Sequence, residues 1–149
     1  VWVYISPFTI SPVNAEKIQS RGVETSLRLR FGKIFSFHAS YTYLSTQQTH
    51  LGTQLPGRPE HTARLEGRLR WQNFQLFSRF RYSHRIYLDI LNQSFISPSY
   101  QWDLGLEWKI SKEAALSMEC KNLLNDTIRD QRGFPLPGRS FYFKLSFLF

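Results

Sequence analysis

In the stretch T-A-R-L-E-G-R-L-R-W, residues 62–71, Arg64, Glu66, Arg68 and Arg70 fall on every second position. Arg28 and Arg30 repeat that spacing in residues 23–31, and Arg79 and Arg81 repeat it in residues 74–82. Guanidinium groups stay charged and offer forked donors to carboxylates and phosphates. A row of them is either a positive wall that attracts anionic substrate or hydrogen-bonds a domain filling the lumen, or one side of a solvated, ion-paired lumen in which Arg64, Glu66, Arg68 and Glu107 neutralise neighbours across strands; Glu119 lies on the same face. Binding residues concentrate on loops, which favours the structural reading over direct substrate contact. The loop candidate is residues 83–99, S-H-R-I-Y-L-D-I-L-N-Q-S-F-I-S-P-S, where Tyr87, Asp89 and Phe95 sit among Leu88, Ile90, Leu91 and Ile96. That is apolar for an exposed link and fits a cap over a hydrophobic ligand, although extension of the flanking strands accounts for its ends more simply.

Other chemistry finds no support. His38, His50, His61 and His84 show no metal-ligand spacing and Cys120 is the one thiol, so neither a metal site nor an internal disulfide is expected. No phosphate loop, nucleophile elbow or supported acid pair occurs. The chain reads as no enzyme and as holding no cofactor.

The elements that must position these side chains have a period of two. Val23, Thr25, Leu27, Leu29 and Phe31 alternate with Glu24, Ser26, Arg28 and Arg30. Similar stripes run through residues 35–43, 62–71, 74–82, 102–110, 116–121 and 141–149, and a less regular strand is expected near residues 1–9. This makes about eight strands. Short links (Gly32-Lys33-Ile34, Gln72-Asn73, Ser111 to Ala114) alternate with long polar ones at 10–20, 44–61, 83–99 and 121–140. Short then long is the rim asymmetry of an antiparallel up-and-down transmembrane β-barrel. Nine to eleven residues at ~3.3 Å each, tilted near 45°, cover about 25 Å, the apolar band of an outer membrane.

Composition agrees with that solvent. Aromatic residues make up 16% of the 149 residues while the mean hydropathy is −0.35, and the net charge is +8. The apolar stripes carry no Lys, Arg, Asp or Glu. One lipid-facing Arg or Lys at the midplane costs ~2–4 kcal/mol, so slipping two strands by one residue would exceed many domains' net stability of about 5–15 kcal/mol. A soluble sandwich also alternates, but here aromatics crowd the strand ends, as in interfacial belts. No apolar run approaches the ~20 residues of a spanning helix. The opening V-W-V-Y-I-S lacks a basic leader and a cleavage site, so a mature or truncated piece is expected.

Four words occur in order: N-A-E-K-I-Q-S-R-G-V-E (Asn14 to Glu24), L-P-G-R-P-E-H (Leu55 to His61), K-N-L-L-N-D (Lys121 to Asp126) and G-F-P-L-P-G-R-S-F (Gly133 to Phe141). Together they resemble the C-terminal part of a TonB-dependent outer-membrane receptor of the cobalamin, siderophore–iron or haem type. The resemblance covers nearly the whole chain. It implies the last third of a barrel of about 22 strands whose lumen is filled by a separate plug. It also implies outer-membrane lipid, the plug and the remaining barrel strands as partners, with the TonB complex reached through parts absent here. Neither a plug nor a TonB box is present in residues 1–149, which read as one barrel portion. By the same resemblance, Phe141, Phe143, Leu145, Phe147 and Phe149 would form the strand read by the barrel assembly machinery. The implied function is part of the barrel wall for uptake of a metal chelate or cofactor across the bacterial outer membrane. One alternative is a self-contained eight-stranded barrel with a structural or adhesive role, but its narrow interior would hold ten basic groups against five acidic ones. A second is a soluble basic β-domain for single-stranded nucleic acid. It would place aromatic and basic residues on one face, whereas here they lie mostly on opposite faces, so no nucleic-acid partner is expected.

Overall fold

A computed structural model describes residues 2–6, 9–12, 17–130 and 133–148. The strands are β1 (Trp2–Ser6), β2 (Thr9–Pro12), β3 (Ile18–Phe31), β4 (Phe35–Gln48), β5 (His61–Trp71), β6 (Phe74–Ser83), β7 (Ile86–Tyr87), β8 (Phe95–Ile96), β9 (Ser99–Lys109), β10 (Ala114–Lys121) and β11 (Ser140–Phe147). No helix occurs among the described residues. Seven strands form one antiparallel sheet in the order β11-β10-β9-β6-β5-β4-β3, a meander interrupted only by the small β7–β8 hairpin. β1 and β2 pair with each other as a separate two-stranded sheet. Among the described residues the large sheet therefore holds seven strands, and the segment near residues 1–9 lies in the separate β1–β2 pair.

The register aligns the stripes across the sheet. Leu29, Phe37, Gly67, Ser78, Leu104, Cys120 and Phe141 form one continuous row. Two rows toward the short links lie Trp71, Phe74, Trp108, Leu116 and Leu145. Two rows toward the long links lie Thr25, Tyr41, Ala63, Tyr82 and Tyr100. Rings stack within these belts: Phe74 with Trp108 at 5.9 Å and Tyr82 with Tyr100 at 5.1 Å between centroids. Eight residue steps, Trp71 to Ala63, separate the belts. At ~3.3 Å per step and a tilt of about 40°, that is a height of about 20 Å, matching an apolar band between aromatic girdles.

Among the described residues nothing covers this face. Phe31 is 62% exposed, Trp71 66% and Phe143 71%. A soluble sandwich would bury the same stripe under a second sheet. Ser78, the polar residue in the middle row, accepts a hydrogen bond from Trp102 Nε1 at 2.9 Å, so each satisfies the other in an apolar setting.

The links are tight where the strands turn at the short rim. Gly32 and Gln72 there adopt positive φ, 56° and 52°. At the other rim, β3 and β4 run five residues beyond the expected ends, paired through Ile18 and Gln48. Apart from Ile18 and Leu44 that extension is polar on both faces, so alternation gave no sign of it. Only the ends of residues 83–99, Ser83 and Ser99, extend β6 and β9; residues 84–98 between them do not. They fold as β7–β8 and pack on the β4–β5 link, with Gly57 N donating to Tyr87 O at 2.8 Å. Leu55 and Ile96, in these two links, are the buried apolar residues among those described. The sheet stays open at β3 and β11, so the self-contained eight-stranded barrel is not what forms.

Candidate functional site

The face opposite the aromatic belts carries the charged rows. Arg28, His38, Glu66, Arg79 and Asp103 form one row. Ser26, Ser40, Arg64, Arg81 and Gln101 form the next toward the long links. Arg30, Ser36, Arg68, Phe77, Gly105 and Glu119 form the next toward the short links. Glu107 lies one row further on, opposite Gln75 and Ser117. The nine expected lumen residues thus share one face.

Their pairing is uneven. Arg79 donates to Glu119 at 2.6 Å and Arg81 to Asp103 at 2.7 Å. Arg79 reaches Glu119 by crossing β9 at Gly105, the residue that faces both Phe77 and Glu119 in register. The missing side chain makes that crossing possible. A Cβ at Gly105 would stand 2.2 Å from the Phe77 ring. The same ring lies 4.9 Å below the Arg79 guanidinium, in cation–π geometry. By contrast, Arg64, Glu66 and Arg68 form no ion pair among the described residues, so the expected ladder around Glu66 does not form. The acids that do pair, Asp103 and Glu119, sit on β9 and β10, out of reach of β3 and β4.

Asp103 is the centre that sequence reasoning missed. It is 1% exposed. Its carboxylate accepts from Arg81, from Gln101 Nε2 at 3.1 Å and from the Asn122 backbone N–H at 3.0 Å. Asn122, also fully buried, holds Asp126 through its side chain in both directions, and Asp126 accepts from Tyr100 N at 2.7 Å. Asn125 accepts from Arg139 N, and Gly138 leaves room for it. The words K-N-L-L-N-D and P-G-R are therefore one folded turn that ties β9, β10 and the approach to β11 together. Alternation gives Asp103 and Glu107 the same weight; only the Asn122 three-dimensional contact separates them.

The long-link rim holds the expected ligand-loop residues. Tyr87 and Phe95 are cross-strand partners with rings edge to face at 6.4 Å, and Arg85 stands 4.5 Å over the Phe95 ring. Asp89 is turned inward on its own loop, accepting from the backbone N–H groups of Leu91, Gln93 and Ser94. Desolvation opposes its ionisation, but those backbone donors outweigh it and leave its carboxyl below the ordinary 3.8. Asn92 exchanges hydrogen bonds with the backbone of Gln54, joining the two links. Phe95 is half exposed and Tyr87 half-buried at this rim, while the Asp89 oxygens are occupied by the turn.

At the end of the sheet, Phe141, Phe143, Leu145 and Phe147 lie on the apolar face of edge strand β11. Phe149 lies outside the described residues. No group of three or more His, Cys, Asp or Glu able to hold a metal ion occurs among the described residues.

A family model described as "TonB dependent receptor-like, beta-barrel" matches residues 3–123. The chain belongs to this family. TonB-dependent receptors are outer-membrane transport proteins, and the belts on this wall show how its strands sit in that membrane. Solved structures agree on the fold. The chain is similar to the siderophore receptor PiuA from Acinetobacter baumannii, with 20% identity and a TM-score of 0.80, over 98% of this chain and 24% of that one. It is also similar to the copper transporter OprC, with 18% identity and a TM-score of 0.68, over 87% of this chain and 24% of that one. The ferric enterobactin receptor PfeA from Pseudomonas aeruginosa, solved as a mutant with enterobactin, matches with 19% identity and a TM-score of 0.64, over 85% of this chain and 22% of that one. The chain thus spans about a quarter of the length of these receptors. No curated protein matches it in sequence.

Proposed function

We propose that this chain is the C-terminal barrel wall of a receptor that imports a metal chelate or cofactor across the outer membrane. A plug would fill the lumen against the charged face, and energy would come from the TonB complex through segments outside this wall. The observation that carries this reading is the two-sidedness of one sheet. Its apolar face is exposed between two aromatic belts, and its charged face carries the arginine rows. Aromatic and basic residues therefore share little surface, which leaves no platform for stacking bases beside phosphates. The similar receptors bind siderophore–iron or copper by their descriptions, and we take a ferric siderophore as the leading substrate, ahead of cobalamin and haem. The three long links between strands of the large sheet lie at one rim, where Tyr87 and Phe95 offer aromatic surface to such a ligand. β11, with Phe141, Phe143, Leu145 and Phe147 alternating on its lipid face, would be the strand that the barrel assembly machinery engages.

The test replaces residues 84–98 by an Asn-Gly turn in the complete receptor. Binding of ferric siderophores, copper, cobalamin and haem is then compared with the unaltered protein. Loss of affinity for one of these, with assembly into the membrane retained, is the expected result. Unchanged affinity for all four would remove the rim from substrate recognition.

A further inference from the structure

His61 and His84 are 23 positions apart in the chain, yet the register sets them side by side. Thr62 pairs with Ser83, and one step outward the His84 backbone N–H donates to the His61 carbonyl at 2.9 Å. The two rings lie 5.4 Å apart between centroids, with 79° between their planes. Each Nδ1 is engaged by a tyrosine hydroxyl, Tyr41 with His61 at 2.8 Å and Tyr82 with His84 at 3.0 Å. From β4 the Tyr43 ring flanks His61, 5.1 Å away between centroids. The cluster stands on the face of the aromatic belts, since His61 follows the alternation of Ala63, and His84 that of Tyr82. It lies one row outside the belt of Tyr41 and Tyr82. For strands tilted near 40° that is about 5 Å higher, at the level of lipid head groups and water. His61 begins β5 and His84 follows the end of β6, so the pair marks the point where two long links leave the wall.

We propose that His61 and His84 together bind one divalent transition-metal ion, Zn²⁺ or Cu²⁺, through their Nε2 atoms. Imidazole nitrogen suits these ions, and a ligating histidine usually holds its second nitrogen in a hydrogen bond that fixes the ring. Here the tyrosine hydroxyls supply that bond twice. With Nδ1–H donating to a phenol oxygen, the imidazole carries its free lone pair on Nε2, as metal ligation requires. The separation fits as well. A metal–nitrogen bond of about 2.1 Å puts each ring centroid about 3.2 Å from the ion, and a tetrahedral angle then sets the centroids about 5.2 Å apart. The observed 5.4 Å is close to that value. The steep angle between the planes is no obstacle, because each ring need only hold the ion in its own plane. Tyr43, Ala63 and Tyr82, the adjoining positions on this face, are uncharged, so a cation meets no like charge there. Water fills the remaining positions of the ion, as in open zinc sites. A bound ion would tie β5 to β6 at the base of both links. Membrane belts draw on Trp and Tyr for anchoring, and that role needs no facing pair of histidines with both Nδ1 atoms held.

The site faces away from the charged side of the sheet, so its test is independent of the imported substrate. The experiment titrates Cu²⁺ alone into the complete receptor in detergent. Electron paramagnetic resonance with spin-echo modulation then counts the imidazoles on the ion. The expected species has two imidazole nitrogens on one Cu²⁺ and is displaced by Zn²⁺. His61→Gln and His84→Gln should each leave at most one imidazole and lower the affinity about 100-fold, the upper end for changes around a metal site. Tyr41→Phe combined with Tyr82→Phe should keep the two-imidazole signature and weaken the affinity about ten-fold. His38→Gln, on the opposite face, and His50→Gln, in the β4–β5 link, should change neither. Heat-modifiable migration establishes that each variant is folded, and the imidazole count on the unaltered protein needs no variant. A count below two in the unaltered protein would overturn the proposal. So would a two-imidazole signal that survives the loss of either ring, or one lost equally in the His38 or His50 variant.

Discussion

Gly105 and Phe77 show how one residue can set the layout of a charged wall. With a Cβ at Gly105 the Phe77 ring must swing away, and the Arg79 guanidinium loses its 4.9 Å platform on the route to Glu119. Gly105→Ala should therefore destabilise the barrel by ~1–3 kcal/mol, the range for overpacking. Adding Phe77→Ala should recover most of that loss, as read from urea unfolding in lipid vesicles. Simple additivity of the two changes would show that the ring and the glycine are not coupled. Asp89 supplies a second prediction at this scale. Its folded pKa lies below the ordinary 3.8, so its contribution to loop stability is present above 3.8 and is lost as pH falls through the folded value. The amide resonances of Leu91, Gln93 and Ser94 should shift together, with a shared midpoint under pH 3.8, and should remain still at higher pH. Asp89→Asn should abolish that titration and loosen the β7–β8 hairpin while leaving β6 and β9 paired.

The strands obey a stronger rule than any of their residues, because each has one side that hydrocarbon accepts. Leu104 sits in the middle row, four residue steps from each belt. Leu104→Arg should cost ~2–4 kcal/mol in vesicles, whereas Ser117→Arg on the charged face of β10 should stay within about 0.5 kcal/mol. Equal penalties at the two sites would contradict the sidedness. This rule is also why the main strands were legible in the sequence. From Val23 to Phe31, or from Trp102 to Ile110, apolar and polar residues alternate except at Thr25 and Gly105, and a one-residue slip of β3 would put arginines into lipid. Legibility failed where the rule stops applying. At Gln19–Arg21 and Ser45–Gln48 polar residues fill every position on both faces, and the paired extension of β3 and β4 leaves no trace in the pattern. The β7–β8 hairpin was hidden for the opposite reason. Ile96 is buried, and its link is tied to another through hydrogen bonds between Asn92 and Gln54, 38 positions apart in the chain. The arginine rows were readable as a face, but which of them find acids depends on Asp103 and Glu119, three and four strands from β4.

At the scale of the whole molecule the decisive feature is the pair of open edges. β3 presents 14 residues and β11 presents 8 residues at the two sides of the sheet, and no described strand pairs with their outer sides. Within hydrocarbon an unpaired backbone N–H or C=O costs several kcal/mol, which is why spanning sheets close. Edges of this length are also templates for association in water. Seven strands tilted as barrel strands are cannot bring β11 back to β3 without crowding the interior, and that interior would have to hold Phe77, Tyr142 and the arginines Arg28, Arg30, Arg64 and Arg68 that lack ion-pair partners. The 149-residue chain refolded alone into vesicles should therefore fail to give the compact, heat-modifiable band of a closed barrel. Amide exchange in β3 and β11 should be fast, while β5 and β6, paired on both sides, stay protected. In the complete receptor, both edge strands should become as protected as the central ones, because each then has a neighbour. A heat-modifiable monomer from the isolated chain, with β3 and β11 protected, would show instead that these strands close on themselves, and the wall would have to be read as a small barrel in its own right.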